Sequence, residues 1–355
     1  MSLTVAPDTG TTAPDAPPPA PGPSTATEVV RPRRVVPLVR AVAGGLAVAV
    51  TVLLLASVIA FALGALSDSN PAAAVLGETA TPEDIARMNH EFGLDRPLVE
   101  QYVSWVGSAV QGDLGRSWFT TIPVADSIKQ ALPVDLSIAA LALVLAILIG
   151  GGSGIGAALS NGGFFDRVVT LVCSVLATLP PFVIGMALIV IFSVKLQLLP
   201  SGGYVPIDQD PAQWLRFSIL PSLALSLDVA ASIARQLRTS MVTALGENYA
   251  IGAEMRGYGR SRVLFGHVLR NAAAPTLAVI GLAIPLIVGG AVITERLFGL
   301  PGVAQLALQS AERGDVPVVL GTLLVTAVVV VVASSLVNVL QKALDPTARR
   351  EGALR

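Results

Sequence analysis

Charged residues are scarce in this sequence: they make up 13% of its 355 residues, while hydrophobic residues make up 53%. The mean hydropathy of +0.72 is far above that of a soluble domain with a charged surface. This composition excludes an ordinary soluble enzyme. The formal charge is −1, so there is no basic surplus of the kind that nucleic-acid binding requires.

Cysteine, histidine and lysine are also rare. The single cysteine, Cys173, cannot form a disulfide within the chain, and His90 and His267 are too far apart in sequence to indicate a metal site. None of the three lysines follows a glycine, as the phosphate-binding Walker A loop requires. We therefore expect no catalytic residue, no metal and no cofactor on this chain, and no ATP hydrolysis by it.

Long uncharged runs are abundant instead. A membrane-spanning helix needs about 20 apolar residues, because lipid offers the backbone no hydrogen-bond partners. Runs of this kind predict an all-α membrane protein whose transmembrane domain covers residues 37–345. The six predicted transmembrane helices cover residues 41–66, 134–158, 168–194, 217–238, 272–294 and 316–341.

The segments outside these runs differ in charge. Residues 67–133 carry nine acidic and four basic side chains, whereas arginines precede the first run, lie between the fourth and fifth, and follow the sixth. Basic residues near span ends tend to stay in the cytoplasm. We therefore predict an external segment at 67–133, a cytoplasmic segment at 239–271 and both termini in the cytoplasm. Residues 1–36, rich in Pro, Ala and Thr, are predicted to be a disordered tail, and residues 346–355 form a second cytoplasmic tail.

The external segment contains signals for short helices. Thr81 is the expected N-cap of the first, Pro82 its first residue and Gly93 its stop. For the second helix we expect Asp95 as the cap and Pro97 as the opening residue.

The cytoplasmic segment contains two short helical patterns separated by a turn at Gly257. The first pattern places apolar side chains (Tyr249, Ile251, Met255) beside charged ones (Glu254, Arg256). A simple loop between spans needs only a few residues, so this amphipathic stretch indicates either a docking surface for a cytoplasmic partner or a helix lying on anionic lipid.

Three residues in or near the spans are candidates for a translocation path. Asp228 is an acid inside a span, where a carboxylate normally faces a water-filled path or pairs with another group, here with Arg235 as the candidate. Glu295 lies at the end of the fifth run and is a path or interface residue. Pro285 is expected to bend its helix.

Several short motifs, in their order and spacing, resemble the inner-membrane permease subunits of dipeptide and oligopeptide ABC importers over about residues 38–350. The resemblance is carried by Gly93-Leu94-Asp95-Arg96-Pro97, Gly112-Asp113-Leu114-Gly115, Leu179-Pro180-Pro181-Phe182, Gly246-Glu247-Asn248-Tyr249, His267-Val268-Leu269-Arg270-Asn271, Pro301-Gly302, and Asp315 with Pro317-Val318-Val319.

This resemblance implies the type I ABC importer permease fold and a coupling helix that docks on an ATPase subunit. Ala253 and Gly257 match the family's coupling motif, whereas Ile251 replaces its acid. The coupling residues that it implies are Glu247, Asn248, Tyr249, Ile251, Ala253, Glu254, Met255, Arg256 and Gly257.

The implied partners are a second permease, two cytoplasmic ATPase subunits that use ATP and Mg, and an extracytoplasmic substrate-binding protein. The implied location is the bacterial cytoplasmic membrane, and the expected solutes are peptides or peptide-like molecules. Two alternatives stand beside this reading. One is an ion-coupled secondary carrier in which Asp228 is the coupling acid, and the other is a membrane scaffold protein.

Overall fold

The computed structural model describes residues 50–62, 64, 70–77 and 79–344, with side chains up to residue 337. Within these ranges every element is helical, apart from an isolated bridge between Arg116 and Pro123. The all-α prediction is therefore confirmed for the described residues. The predicted tails at 1–36 and 346–355 lie outside them.

The helices are given in chain order. They are α1 (Val50–Ala62), α2 (Pro71–Leu76), α3 (Pro82–Phe92), α4 (Leu98–Val110), α5 (Val124–Ser160), α6 (Phe164–Leu176), α7 (Pro181–Leu188), α8 (Pro211–Leu245), α9 (Asn248–Met255), α10 (Arg260–Val263), α11 (Leu269–Phe298), α12 (Val303–Arg313) and α13 (Val316–Leu344). Wider π-helical turns extend α7 over Ile189–Lys195 and join α10 to α11 over Leu264–Val268.

Four stretches of helix in the described part of the chain are long and apolar enough to cross a membrane. They are Val124–Ser160, Pro211–Leu245, Arg260–Phe298 and Val316–Val337, and a fifth is added if α6 and α7 together form one span. The first predicted span, 41–66, is described only in part, as the short apolar helix α1. The count of six spans stays a prediction.

The predicted span over residues 168–194 is not one straight helix. The structure has two helices instead, Phe164–Leu176 and Pro181–Lys195, which meet at an angle of 107°. The break falls at Pro180 and Pro181. Neither residue has a backbone N–H to donate, and a proline ring disfavours helical geometry in the preceding residue.

Other helices extend beyond their predicted spans because packing and capping, rather than hydropathy, decide where they end. α5 begins at Val124 instead of 134, since Val124 and Ile128 pack against Leu114 and Val318 in a buried cluster. α8 begins at Pro211 instead of 217, because the Asp210 carboxylate accepts hydrogen bonds from the first backbone N–H groups of the helix.

A stripe of small residues lets α5 and α8 pack closely. On α5, every fourth residue from Ile138 to Ala158 is buried, which is the spacing that puts side chains on one face of a helix. The stripe is formed by Ala142, Ala146, Gly150 and Gly154, and it faces a row on α8 that contains Ala230, Ile233, Ala234 and Leu237. With so little side-chain volume between them, the two backbones approach closely.

The segment between α1 and α5 is ordered by short-range caps. As predicted, Thr81 caps α3 by accepting from the N–H of Asp84, and Gly93 ends α3 in the left-handed conformation. The predicted cap role of Asp95 is wrong. Pro97 occupies the cap position of α4, and the Asp95 carboxylate instead bonds Nδ1 of His90 at 2.7 Å, which lowers the pKa of Asp95.

Two distant parts of the sequence meet at Asp315. The Ser117 hydroxyl donates to the carboxylate of Asp315, and the N–H of Trp118 donates to the same carboxylate at 3.2 Å. Asp315 is 3% exposed, and burial raises the pKa of its carboxyl group. The contact fastens the segment that follows α4 to the start of α13.

The α5–α8 packing yields a test with a matched control. A Cβ atom on Gly150 would lie 2.5 Å from the carbonyl oxygen of Ala230, whereas one on the adjacent Gly151 meets nothing within 4 Å. We expect Gly150→Ala to lower the free energy of unfolding by about 1–3 kcal/mol through overpacking. Gly151→Ala should leave it unchanged or raise it by up to about 1 kcal/mol, since alanine favours helix. Thermal unfolding of the purified protein in detergent measures both, and equal midpoints for the two variants would contradict the proposed close packing.

Candidate functional site

The short helix α9 is held against its own chain by two alanines. Ala250 and Ala253 are 1% and 0% exposed, and they belong to a buried cluster built from the ends of longer helices. The cluster includes Ala158 from α5, Leu237, Met241 and Ala244 from α8, Val263 from α10 and Ala272 from α11. The buried face of α9 therefore packs against two of the long apolar stretches, Pro211–Leu245 and Arg260–Phe298, in a cluster that also includes Ala158 of α5.

The opposite face of α9 exposes apolar side chains. Met255 is 84% exposed, Ile251 45% and Tyr249 38%, and the charged side chains of Glu247, Glu254 and Arg256 are also exposed. We call Tyr249, Ile251 and Met255, with Gly252 between them, the exposed face of α9. Adjacent exposed apolar side chains rimmed by charges are typical of a surface that meets another protein or a membrane.

A tight turn ends α9. The N–H of Gly257 donates to the carbonyl of Glu254 and the N–H of Tyr258 to the carbonyl of Ala253, which is the Schellman pattern. Gly257 has φ +78°, a left-handed conformation that favours glycine. The Tyr258 ring then packs under the guanidinium of Arg262, at 4.6 Å, and against the ring of His267.

The predicted coupling residues thus divide into two groups. Tyr249, Ile251 and Met255 lie on the exposed face of α9, whereas Ala253 lies on the buried face and cannot touch a partner directly. Gly257 lies in the turn that ends α9. A cavity of about 300 Å³ lies beside the helix, lined among others by Leu159, Glu254 and Arg260.

The three path candidates do not come together in this chain. Asp228 is partly buried on α8, Pro285 is exposed within α11, and Glu295 is 2% exposed. Asp228 forms no ion pair within the described residues. Arg235, its candidate partner, instead donates to the carbonyl of Cys173 at 2.8 Å and to the hydroxyl of Ser232 at 3.3 Å.

Glu295 lies beside a second acid, Asp135, which was not among the predicted path candidates. Its carboxylate accepts from the N–H of Gln305 at 2.7 Å, and that of Asp135 accepts from the N–H of Val303 at 3.1 Å. Both acids therefore bind the start of α12. The local sequence holds no signal for this pairing, because Asp135 and Glu295 are brought together only by the packing of α5 against α11 and α12.

An ion pair holds the connection between α5 and α6. The Asp166 carboxylate bonds the guanidinium of Arg238, with one N–H···O distance of 2.6 Å, and accepts from the N–H of Gly162 at 2.7 Å. It fixes the loop after α5 to α8, next to the cluster on which α9 is seated.

Comparison with known families and proteins agrees with this architecture. Residues 142–350 match the family described as "Binding-protein-dependent transport system inner membrane component", and residues 38–139 match the N-terminal part described for such membrane components. A probable peptide ABC transporter permease protein of Sinorhizobium fredii is 34% identical over 84% of this chain and 96% of its own length. A putative peptide transport system permease protein of Brucella abortus is 35% identical over 85% and 96%, and a glutathione transport system permease protein of Escherichia coli is 33% identical over 84% and 94%.

Adjacent residues on opposite faces of α9 allow a test of its placement. Ala253 is fully buried, whereas a Cβ on Gly252 meets nothing within 4 Å. We expect Ala253→Leu to overpack the seat of α9 and lower the free energy of unfolding by about 1–3 kcal/mol. Gly252→Leu should leave it unchanged or raise it by up to about 1 kcal/mol, since leucine favours helix more than glycine does. Thermal unfolding of the purified chain measures both, and a Gly252→Leu protein as unstable as Ala253→Leu would contradict the assignment of faces.

Proposed function

The chain belongs to the family of binding-protein-dependent transport system inner membrane components, and from this premise we propose the following assembly. The chain is the membrane-spanning permease subunit of an ABC importer, and it forms the translocation path for peptides or peptide-like solutes together with a second, related permease. Two cytoplasmic ATPase subunits supply the energy from ATP and Mg, and an extracytoplasmic binding protein delivers the solute.

The observation that carries this proposal is the placement of α9. Its buried face packs against α8 and against the Arg260–Phe298 stretch, in a cluster that also includes Ala158 of α5, while its other face presents Tyr249, Ile251 and Met255 outward. A partner that moves α9 therefore acts directly on the end of α8 and on the start of the Arg260–Phe298 stretch. We assign the exposed face of α9 as the contact with an ATPase subunit.

Charge supports the proposed orientation. The end of the helices that holds α9 is rich in arginine, with Arg238, Arg256, Arg260, Arg262 and Arg270 in or beside it. Basic residues of short loops favour the cytoplasmic side. In this orientation α9 faces the cytoplasm, where the ATPases lie, and the segment with α3 and α4 faces outward, where it contributes to contact with the binding protein.

The proposed class of solute is based on the names of the related permeases. The names of the related permeases specify peptide transport in two cases and glutathione, itself a small peptide, in a third. The two alternatives, an ion-coupled carrier and a membrane scaffold, are not favoured by membership in this family.

Isolation of the complex tests the proposal. The tagged chain is extracted in mild detergent, co-purifying proteins are identified by mass spectrometry, and ATP hydrolysis is measured. We expect a second permease, P-loop ATPase subunits and vanadate-sensitive hydrolysis. A chain recovered alone and without hydrolysis would contradict the importer assignment, and uptake that depends on an ion gradient and is lost in Asp228→Asn would establish the carrier alternative.

A charge on the exposed face of α9 should uncouple transport. Met255→Glu places a carboxylate where we propose an apolar contact, and desolvating an unpaired charge in an interface is costly. We expect at least a tenfold loss of uptake and of ATPase recovery, corresponding to about 1.4 kcal/mol of binding free energy. Met255→Leu keeps the apolar surface and serves as the matched control.

The Met255→Glu chain should still insert and unfold at the temperature of the wild type, since Met255 is 84% exposed. Unchanged uptake and normal recovery of the ATPase in this variant would show that the exposed face of α9 is not the contact.

A further inference from the structure

Two carboxyl groups from distant parts of the chain meet at the start of α12. Glu295 lies in the last turn of α11, and the chain reverses at Gly299, whose φ is +61°. After this turn α12 begins at Val303 without a side-chain cap of its own. Asp135 from α5 and Glu295 take that role, each accepting a hydrogen bond from a backbone N–H of the first turn of α12.

Gly302 shows how tightly the pair is enclosed. A Cβ atom on this residue would overlap both Oδ1 of Asp135 and the carboxyl group of Glu295. That single Cβ position lies against Oδ1 of Asp135 and 2.5 Å from Oε2 of Glu295, so the two carboxyl groups are direct neighbours. Glycine at this position therefore lets the backbone approach the pair, and no side chain separates the two acids.

One oxygen of each acid has no hydrogen-bond partner among the described residues. Oδ1 of Asp135 and Oε1 of Glu295 are both buried, and Glu295 is 2% exposed. An ionised carboxylate can only accept hydrogen bonds. Two ionised carboxylates would leave both of these oxygens without a donor, which is costly in a buried site.

No cation in the described part of the chain balances the pair. Neither acid forms an ion pair with Lys, Arg or His. On α5, Asp126 and Lys129 pair with each other, and Asp315, before α13, bonds Ser117. Arg296 of α11 and Glu312 and Arg313 of α12 are exposed. Asp228 of α8 lies three residues along the helix from Leu225, which lines a cavity beside the two acids.

The N-terminus of α12 favours one negative charge over two, since the aligned peptide dipoles leave a partial positive charge of only about half a unit there. A pair of carboxyl groups that shares one proton carries one negative charge. The same proton supplies the donor that the two unpartnered oxygens lack. One shared proton therefore satisfies both the charge and the hydrogen bonds.

We propose that Asp135 and Glu295 form a proton-binding site, in which one proton is shared between the two carboxyl groups and the start of α12 holds the remaining negative charge. The site joins α5, α11 and α12. Loss of the proton places two negative charges against each other and loosens the attachment of α12, so the site makes this end of the protein sensitive to pH.

Infrared difference spectroscopy of the protein, purified with its partners in lipid nanodiscs at neutral pH, tests the site. A protonated carboxylic acid has a C=O stretching band distinct from the bands of a carboxylate. We expect the wild-type spectrum to lose one such band in Glu295→Gln and in Asp135→Asn. Glu312→Gln, at an exposed position of the same helix α12, should lose none.

A pH series gives a second readout that does not depend on transport. As the pH rises, the carboxylic acid band of the wild type should disappear, and its thermal midpoint should fall by roughly 2–4 °C more than that of Glu295→Gln. The amide of this variant still donates a hydrogen bond, but its charge does not change with pH. Glu312→Gln should follow the wild type. If Glu295→Gln does not fold, Asp135→Asn provides the same comparison.

The main alternative to a shared proton is a water molecule or a cation bound in a small cavity beside the two acids. The cavity measures about 30 Å³, is lined by both acids and by aliphatic side chains such as Ile138 and Ile287, and is large enough for a water molecule. If a water or a bound cation bridges two ionised acids, neither substitution removes a carboxylic acid band. That result, or identical pH curves for wild type and both amide variants, would overturn the proposal.

Discussion

The close packing of α5 against α8 is the constraint on which the rest of the structure depends. The small residues of α5, from Ala142 to Gly154, let the two backbones meet, and a Cβ on Gly150 or Gly154 would already press on the backbone of α8. Lipid is as apolar as a leucine side chain, so helices in a membrane gain little from burying hydrophobic surface against each other. They associate through close van der Waals contact instead, and small residues allow it.

The two ends of this helix pair carry the two sites. At one end, Ala158 of α5 and Met241 of α8 form part of the seat of α9. At the other end, Asp135 of α5 and Glu295 of α11 bind the start of α12. Helices α5 and α11 contribute to both sites. Through these two helices the cluster that holds α9 is connected to the attachment of α12, although α9 and α12 lie at opposite ends of them.

Part of this architecture was predictable because it depends on local chemistry. Apolar runs predicted helices, and Thr81, Pro82 and Gly93 correctly marked the bounds of α3, since capping involves residues only a few positions apart. Asp95 was wrongly expected to cap α4, because its carboxylate is taken by His90. The break at Pro180 and Pro181 was visible in the sequence, but the angle between the two helices depends on what each one packs against.

The sequence by itself determined that this is a helical membrane protein, and its motifs placed it in a family of importer permeases, because hydropathy and short motifs are properties of neighbouring residues. Only the tertiary structure decided which face of α9 is exposed, so that Met255 points outward and Ala253 inward. It also brought Asp135 to Glu295 across 160 positions of sequence and Ser117 to Asp315 across 198. Such contacts depend on how long helices cross and pack, and no local pattern encodes the partner of a buried polar group.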